Sequence, residues 1–431
     1  MTRTTVVSVV RLSSVVGLVL AACVLWADGG DGSGWWPHFH GPNWDNLSTE
    51  KGLLREWPKE GPPLIWKFPD CGRGYAGVAI ADGMIFTAGD FADKEMLLAL
   101  DLNGKLLWKS ENGKSWKGAM PGSRTTPTYC EGVLYHMNPT GRLAAYDAKS
   151  GQEKWAVDLK TEYGAEWGTW AMSENILLDG NVLFCAPGGS KGRIVAMDKT
   201  TGSRIWANTE IADHASYCTP ILVTHGREPI AGDGRRQLIT ILHKSIVSVD
   251  AQTGKLLWTH RHETKNDQNV TKPIFKDGYV YASSGHGTGG RLLKLSADGR
   301  SVTEVWLATD QDNCHGGVIL LDGCLYGHGC RLSGKGLVCV DFQTGKTLWN
   351  EKTLGKVSIT YADGMLYCLS DTGKMSLVEA NRERCRIVSQ FGLPRESGEL
   401  HLFHPVVCGG RLYVRHWNTL FAYDLRAGAG K

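Results

Sequence analysis

The sequence predicts an all-β fold: an eight-bladed β-propeller of four-stranded antiparallel blades, the last blade closed by an N-terminal strand. Three observations carry this. A turn unit recurs in which Asp is followed by Gly four residues on and by Trp four residues after that. A short hairpin turning at Asp-Gly precedes each copy. An orphan Trp strand near the start supplies the one strand that the final unit lacks.

The turn unit reads Asp147-Ala-Lys-Ser-Gly151 with Trp155, and returns as Asp198, Gly202, Trp206, as Asp250, Gly254, Trp258 and as Asp341, Gly345, Trp349. Asp101-Leu-Asn-Gly104 with Trp108 is one residue shorter. Asp bonds backbone N–H groups two or three residues on, and Gly accepts φ > 0 at the end of the turn. The flanks alternate in polarity, the period of a half-buried strand. The Trp supplies a large apolar face for packing against a neighbouring sheet. The preceding hairpins turn at Asp82-Gly83, Glu131-Gly132, Asp179-Gly180, Asp277-Gly278, Asp322-Gly323, Asp363-Gly364 and Gly409-Gly410, with a variant copy near Gln237. Joined to the turn units they give a repeat of roughly 45 residues, the period of propeller blades. The weakest copies are the fifth, with Asp298-Gly299 before Trp306, and the seventh, with Glu379 and Ile387 at the Asp and Trp positions. The last unit stops at Asp424, and Leu64-Ile-Trp-Lys-Phe68 completes it, leaving no sheet edge at the seam. Composition agrees: Gly is 54 of 431 residues and Trp is 16, while Pro is only 15, a balance suited to many tight turns with aromatic packing.

Ahead of the ring, Arg3 and Arg11 precede an apolar run from Val15 to Trp26. That is the pattern of an export signal, here residues 1–27, and it falls short of the ~20 residues of a membrane span. Two processing routes stand open: lipidation of Cys23 within Leu20-Ala-Ala-Cys23, or ordinary cleavage after Ala27. Residues 28–63 read as a tether and lead-in, 64–425 as the propeller and 426–431 as a tail. The expected location is the periplasm or cell envelope, with membrane contact only through an N-terminal lipid.

The net charge of +3 and the absence of basic runs argue against a nucleic-acid partner. Twelve Cys occur with no C-x-x-C, so simple zinc and thioredoxin spacings fail. Cys130, Cys185, Cys218, Cys339, Cys368 and Cys408 sit in strand-like runs and read as buried small hydrophobes. Gly285-His-Gly-Thr-Gly-Gly290 matches a dinucleotide fingerprint but is followed by a strand, and Gly188-Gly-Ser190-Lys-Gly192 lacks the strand–turn–helix of a nucleophile elbow. Both read as blade loops.

The loops entering each blade's first strand converge on one central mouth. They supply Arg73, Tyr75, Arg124, Trp167, Trp170, His214, Tyr217, Asn269, Asp312, His315, His401 and His404. Convergent polar groups with aromatic faces are the default pattern of a ligand site. His315, His401 and His404 are also transition-metal ligand types, though no spacing fixes a site.

The Asp-x-x-Thr-Gly-x-x-x-Trp unit resembles the repeat of the PQQ-binding-like (quinoprotein-like) β-propeller family, over about Leu64 to Leu425. Trp36-Pro-His-Phe-His-Gly-Pro-Asn43 resembles the lead-in of secreted members. The resemblance implies two functions. One is a non-enzymatic scaffold of the BamB type, binding an envelope protein partner or a small ligand. The other is a dehydrogenase using pyrroloquinoline quinone (PQQ) with calcium to oxidise an alcohol or sugar. On that reading Trp167 or Trp170 would lie under the quinone and Asp312 would act as base. The adjacent cysteines of the quinoprotein enzymes are missing, as is the haem motif C-x-x-C-H. The expectation is therefore an exported, non-catalytic binding or scaffold module, with the PQQ-dependent dehydrogenase as the alternative. A hydrolase or lyase on the same scaffold is a third reading.

Overall fold

Two-residue turns in the left-handed region begin five of the blades. Asp82-Gly83, Glu131-Gly132, Asp277-Gly278, Asp322-Gly323 and Asp363-Gly364 all hold φ between +48° and +85°. This is the backbone of a type I′ turn, whose twist matches that of the strands it joins. The computed structural model describes residues 34–225, 235–265, 267–330, 336–395 and 397–427. The expected export signal, residues 1–27 with Cys23, lies outside the described residues, as do residues 428–431.

The strands form eight sheets in ring order. Seven blades are contiguous in sequence, at 79–114, 128–158, 177–208, 221–261, 274–308, 318–351 and 357–392. The eighth pairs the three strands within 406–424 with Leu64–Phe68, in register from Leu64 opposite Tyr423 to Phe68 opposite Leu420. The predicted seam is therefore present. The glycine-rich stretch at 188–192 is a connection between strands, as expected, while that at 285–290 is a hairpin turn whose Gly289 and Gly290 already open the next strand.

Blade seven departs from four strands. Leu47–Ser48 of the lead-in adds a fifth, parallel to Val357–Ala362, with Leu47 opposite Tyr361. A two-residue strand carries no periodicity, so sequence pattern alone could not reveal it.

The turn unit does what its chemistry requires. Asp147 Oδ1 accepts from the Ser150 N–H at 2.9 Å, Asp198 Oδ1 from the Thr200 and Thr201 N–H groups at 2.9 Å, and Asp341 Oδ1 from the Thr344 N–H at 2.9 Å. The Gly that ends the turn has a second duty. Four of the turn-unit Trp residues lie on the turn of the next blade, with the indole N–H donating to a backbone carbonyl there. Trp108 reaches the Ala148 carbonyl at 3.1 Å, Trp155 that of Lys199 at 3.0 Å, Trp206 that of Ala251 at 3.1 Å and Trp306 that of Phe342 at 3.1 Å. A Cβ on Gly151, Gly202, Gly254 or Gly345 would come within 2.4–2.7 Å of the docked ring. Gly is thus fixed twice, by φ near +72° and by the aromatic face pressed on it. A register shift beside each of these Trp residues, as between Glu153 and Trp155, is the bulge that swings the ring toward its neighbour.

The two weak copies differ. Trp306 of the fifth docks normally. The seventh has no Trp, and Glu379 pairs with Arg386 at 2.5 Å across its outer strands. At the junction of blades four and five, Trp258 bonds Gln237 Oε1 at 3.3 Å, and the Gln237 side chain takes the place of the ring against Gly299. Of the six cysteines expected to be core, five are buried and Cys130 is half-buried. No disulfide joins the described cysteines.

Candidate functional site in the axial channel

The first strand of each blade lines the axis, and the lead-in runs into it. Trp36 bridges to Ile80 of blade one and the Tyr129 N–H of blade two donates to the Pro37 carbonyl at 2.7 Å. Leu47 then leaves along blade seven. Between these anchors, His40, Trp44 and Asn46 all hold φ near +60°. A bulky residue such as Trp44 is rarely found there, and its ring is held by stacking on His38 at 3.8 Å.

Phe39 and His40 are the tip of this loop. His40 Nε2 lies 2.9 Å from His404 Nδ1, and the Phe39 ring stacks on His40 at 3.7 Å. Together they divide the channel. On the mouth side remains a cavity of about 140 Å³, lined in part by Tyr75, Arg124, Tyr217, His315 and His404. On the side of the hairpin turns lies one of about 970 Å³, walled by the first strands of blades three to six and by Trp44 and Asp45. His40 and Lys272 border both.

Burial sets the charge states here. It pushes His38 down to about 3 and His404 to about 4, and holds His40 and His315 well below the ordinary histidine value. It lowers Lys272 to about 8 against the opposing pull of Asp45, and raises Asp45. Arg124 is brought down to about 10, again by burial. Its guanidinium is engaged by carbonyls, Nε donating to Trp170 at 2.6 Å and Nη2 to Ala119 at 2.7 Å. Tyr75 donates to Glu399 at 3.2 Å and Tyr217 to Asp267 at 3.0 Å.

Five of the twelve expected mouth residues therefore share one cavity, and seven do not line it. Trp170 touches the site through its backbone. Trp167 packs on the core between blades two and three beneath Lys160. Arg73 donates to the Ala92 carbonyl at 3.0 Å on the exposed side. His214 faces Glu166 at 3.2 Å in solvent. Asn269 is buried and bonds the Leu242 and His243 carbonyls, a structural clasp. Asp312 is buried and accepts from the Gly287 and Cys330 N–H groups at 2.9 and 2.6 Å. His401 stacks on His416 at 3.7 Å. Sequence reasoning missed Phe39, His40 and Lys272. The signal was present in the lead-in, where two His and a Phe interrupt a Trp-Pro…Gly-Pro frame that no solvated tether needs.

PQQ, the group that the resemblance implies, does not fit this channel. The mouth cavity of about 140 Å³ is below the ~300 Å³ at which small-molecule pockets begin. Trp167 and Trp170 do not border it, and Asp312 is spent on backbone N–H groups. The larger cavity sets Lys272 and Lys276 against Asp45, Asp277 and Asp322, so it offers no excess positive charge to a polyanion.

Known proteins resemble the chain in two ways. A family described as outer membrane protein assembly factor BamB matches residues 93–351. BamB from Moranella endobia is 22% identical over 292 residues, covering 64% of this chain and 69% of that protein. Quinohemoprotein alcohol dehydrogenase ADH-IIG from Pseudomonas putida is 28% identical over 153 residues, 33% of this chain. The match spans only 21% of that dehydrogenase's length. Among solved structures, BamB from Moraxella catarrhalis superposes with a TM-score of 0.57 at 16% identity, over 84% of this chain and all of that one. A europium-containing methanol dehydrogenase gives 0.62 at 13% identity, over 89% of this chain and 90% of that one. Those identities speak for the fold. The family match spans more than half of the sequence, and with the closed ring of docked tryptophans it establishes that the chain belongs to the outer membrane protein assembly factor BamB family.

Proposed function

We propose that this propeller is a non-catalytic binding or scaffold module of the cell envelope. The observation that carries the reading is the family match over residues 93–351. By likeness to proteins named as outer membrane assembly factors, the partner is an envelope protein engaged in that assembly. The axial channel supports the reading, because Phe39 and His40 fill the place where a cofactor or substrate would need room. Residues 1–27 would export the chain, and Cys23 would anchor it by a lipid unless cleavage follows Ala27. The mouth, with Tyr75, Arg124 and Tyr217 at its wall, would be the face presented to the partner.

The test places a photo-crosslinking amino acid at the half-buried Arg73 and the exposed His214, expected mouth positions, in the full chain expressed in its own envelope. One reproducible crosslinked envelope protein, lost when the same residue is placed on the outer rim, supports the scaffold. The same protein is titrated with PQQ plus calcium. Dye reduction that depends on both PQQ and an alcohol would overturn the scaffold in favour of a dehydrogenase, the reading that the partial match to ADH-IIG favours.

A further inference from the structure

The loop from blade five to blade six reads Cys314-His-Gly-Gly317, and it folds back on the hairpin that it precedes. The ligand atoms of Cys314, His315 and His328 lie within 4.8 Å of one another. His328 is in the second strand of blade six, and Cys330 follows that strand directly. We propose that Cys314, His315 and His328 form a binding site for a thiophilic transition-metal ion, with Zn2+ as the representative ligand and a water in the fourth position.

Four features point this way. Cys314 Sγ is 3.6 Å from His328 Nε2. A tetrahedral zinc with ordinary Zn–S and Zn–N bonds sets S and N about 3.5 Å apart. His328 Nδ1 donates to the Val357 carbonyl of blade seven at 2.9 Å, which fixes the tautomer and leaves Nε2 as the acceptor, where the Cys314 N–H reaches it at a long 3.4 Å that a metal would displace. Metal-bound histidines are held by this kind of outer hydrogen bond. Both ring nitrogens of His315 are buried without a hydrogen-bond partner, a cost that ligation would relieve at one of them. The loop is also shaped to reach the spot. Gly316 and Gly317 hold φ of +79° and +76°, and a Cβ on Gly316 would strike the Val357 carbonyl at 2.3 Å. A Cβ on Gly285 would strike that of Cys314 at 2.4 Å.

Cys314 binds as the thiolate and both histidines bind neutral. Binding forms one metal–sulfur and two metal–nitrogen bonds with a water as the fourth ligand, releases the Cys314 thiol proton to solvent, and moves no electron. The inference is independent of the scaffold reading.

The test uses the full chain, reduced and stripped with chelator, titrated with Zn2+ against a chromophoric competitor and with Co2+ for its thiolate charge-transfer absorption. Expected are one metal per chain, a cobalt spectrum of thiolate ligation, and about 10-fold or greater weakening in both C314S and H315Q. H315Q borders the mouth cavity, so it is the variant least prone to misfold, and a thermal melt of each variant checks this. Protection of Cys314 from alkylation by Zn2+ reads the site in the unmutated chain. Failure of the folded, reduced chain to bind would overturn the proposal. So would binding that both variants leave unchanged, or a Cys314–Cys330 disulfide that blocks alkylation without metal.

Discussion

The rim and the axis of this ring are built on opposite principles. At the rim one contact is repeated: a Trp of one blade pressed on a left-handed Gly of the next, with its indole N–H on a nearby carbonyl. At the axis nothing repeats. A lead-in from outside the repeat enters, places an aromatic ring and an imidazole at its tip, and leaves along a different blade. Cohesion comes from the regular part and individuality from the irregular one. The lesson is that a repeat fold can vary its centre freely only because its circumference is held by contacts that do not involve the centre.

Breaking the rim should cost most. Trp206→Ala is expected to destabilise by about 3–5 kcal/mol in urea unfolding. Trp349→Ala should cost clearly less, since its indole bonds the Asn381 carbonyl in an exposed setting and no turn glycine receives the ring. Equal losses would show that the glycine seat is irrelevant. Next comes the seat itself. Gly254→Ala combines a left-handed backbone at φ +73° with a Cβ 2.4 Å from the Trp206 ring, for about 2–4 kcal/mol. Gly83→Ala, at φ +71° with nothing within 4 Å of its Cβ, should cost only the backbone share of about 1–2 kcal/mol.

The axis should respond to acid and the rim should not. His38 and His404 are held neutral, at about 3 and about 4. The unfolded chain therefore binds protons that the folded one refuses. Their stabilising share is complete above about pH 6.5 and is lost as pH falls below it, by up to about 2 kcal/mol for each group at pH 5. A fall in melting temperature from pH 7 to 5 that His404→Asn partly removes would place this sensitivity at the axis. An unaltered profile would place it elsewhere. The smallest effect is expected at Arg73→Ala, within about 0.5 kcal/mol, because the guanidinium makes one exposed bond to Ala92.

The contrast also explains what could be read in advance. Turn chemistry is local: Asp147, Gly151 and Trp155 declare strand, turn and strand within nine residues, so the blades and even the seam were legible. The bulges beside each Trp, and the glycine's role as a seat, were not. They depend on a neighbour about forty residues away. At the axis the sequence named a set of loops, but which of their side chains face the channel was not legible. Asp312 and Asn269 turned to backbone groups, while Lys272 and the lead-in's His40 took the inward positions. His315 was recognisable as a ligand type. Its companion His328 sits in a strand that reads only as core.

The seam has a temporal meaning. Leu64–Phe68 can pair only with Thr419–Asp424, across a chain separation whose closure costs on the order of 5 kcal/mol of entropy. Until the final hairpin exists, the first strand has no partner and blade eight offers a raw edge. A nascent chain emerging from its first residue to its last would thus hold every other blade in place while the ring stays an open horseshoe. The strand Thr419–Asp424, made long after its partner, would act as the clasp, so damage confined to it would leave most of the ring folded and still unfinished.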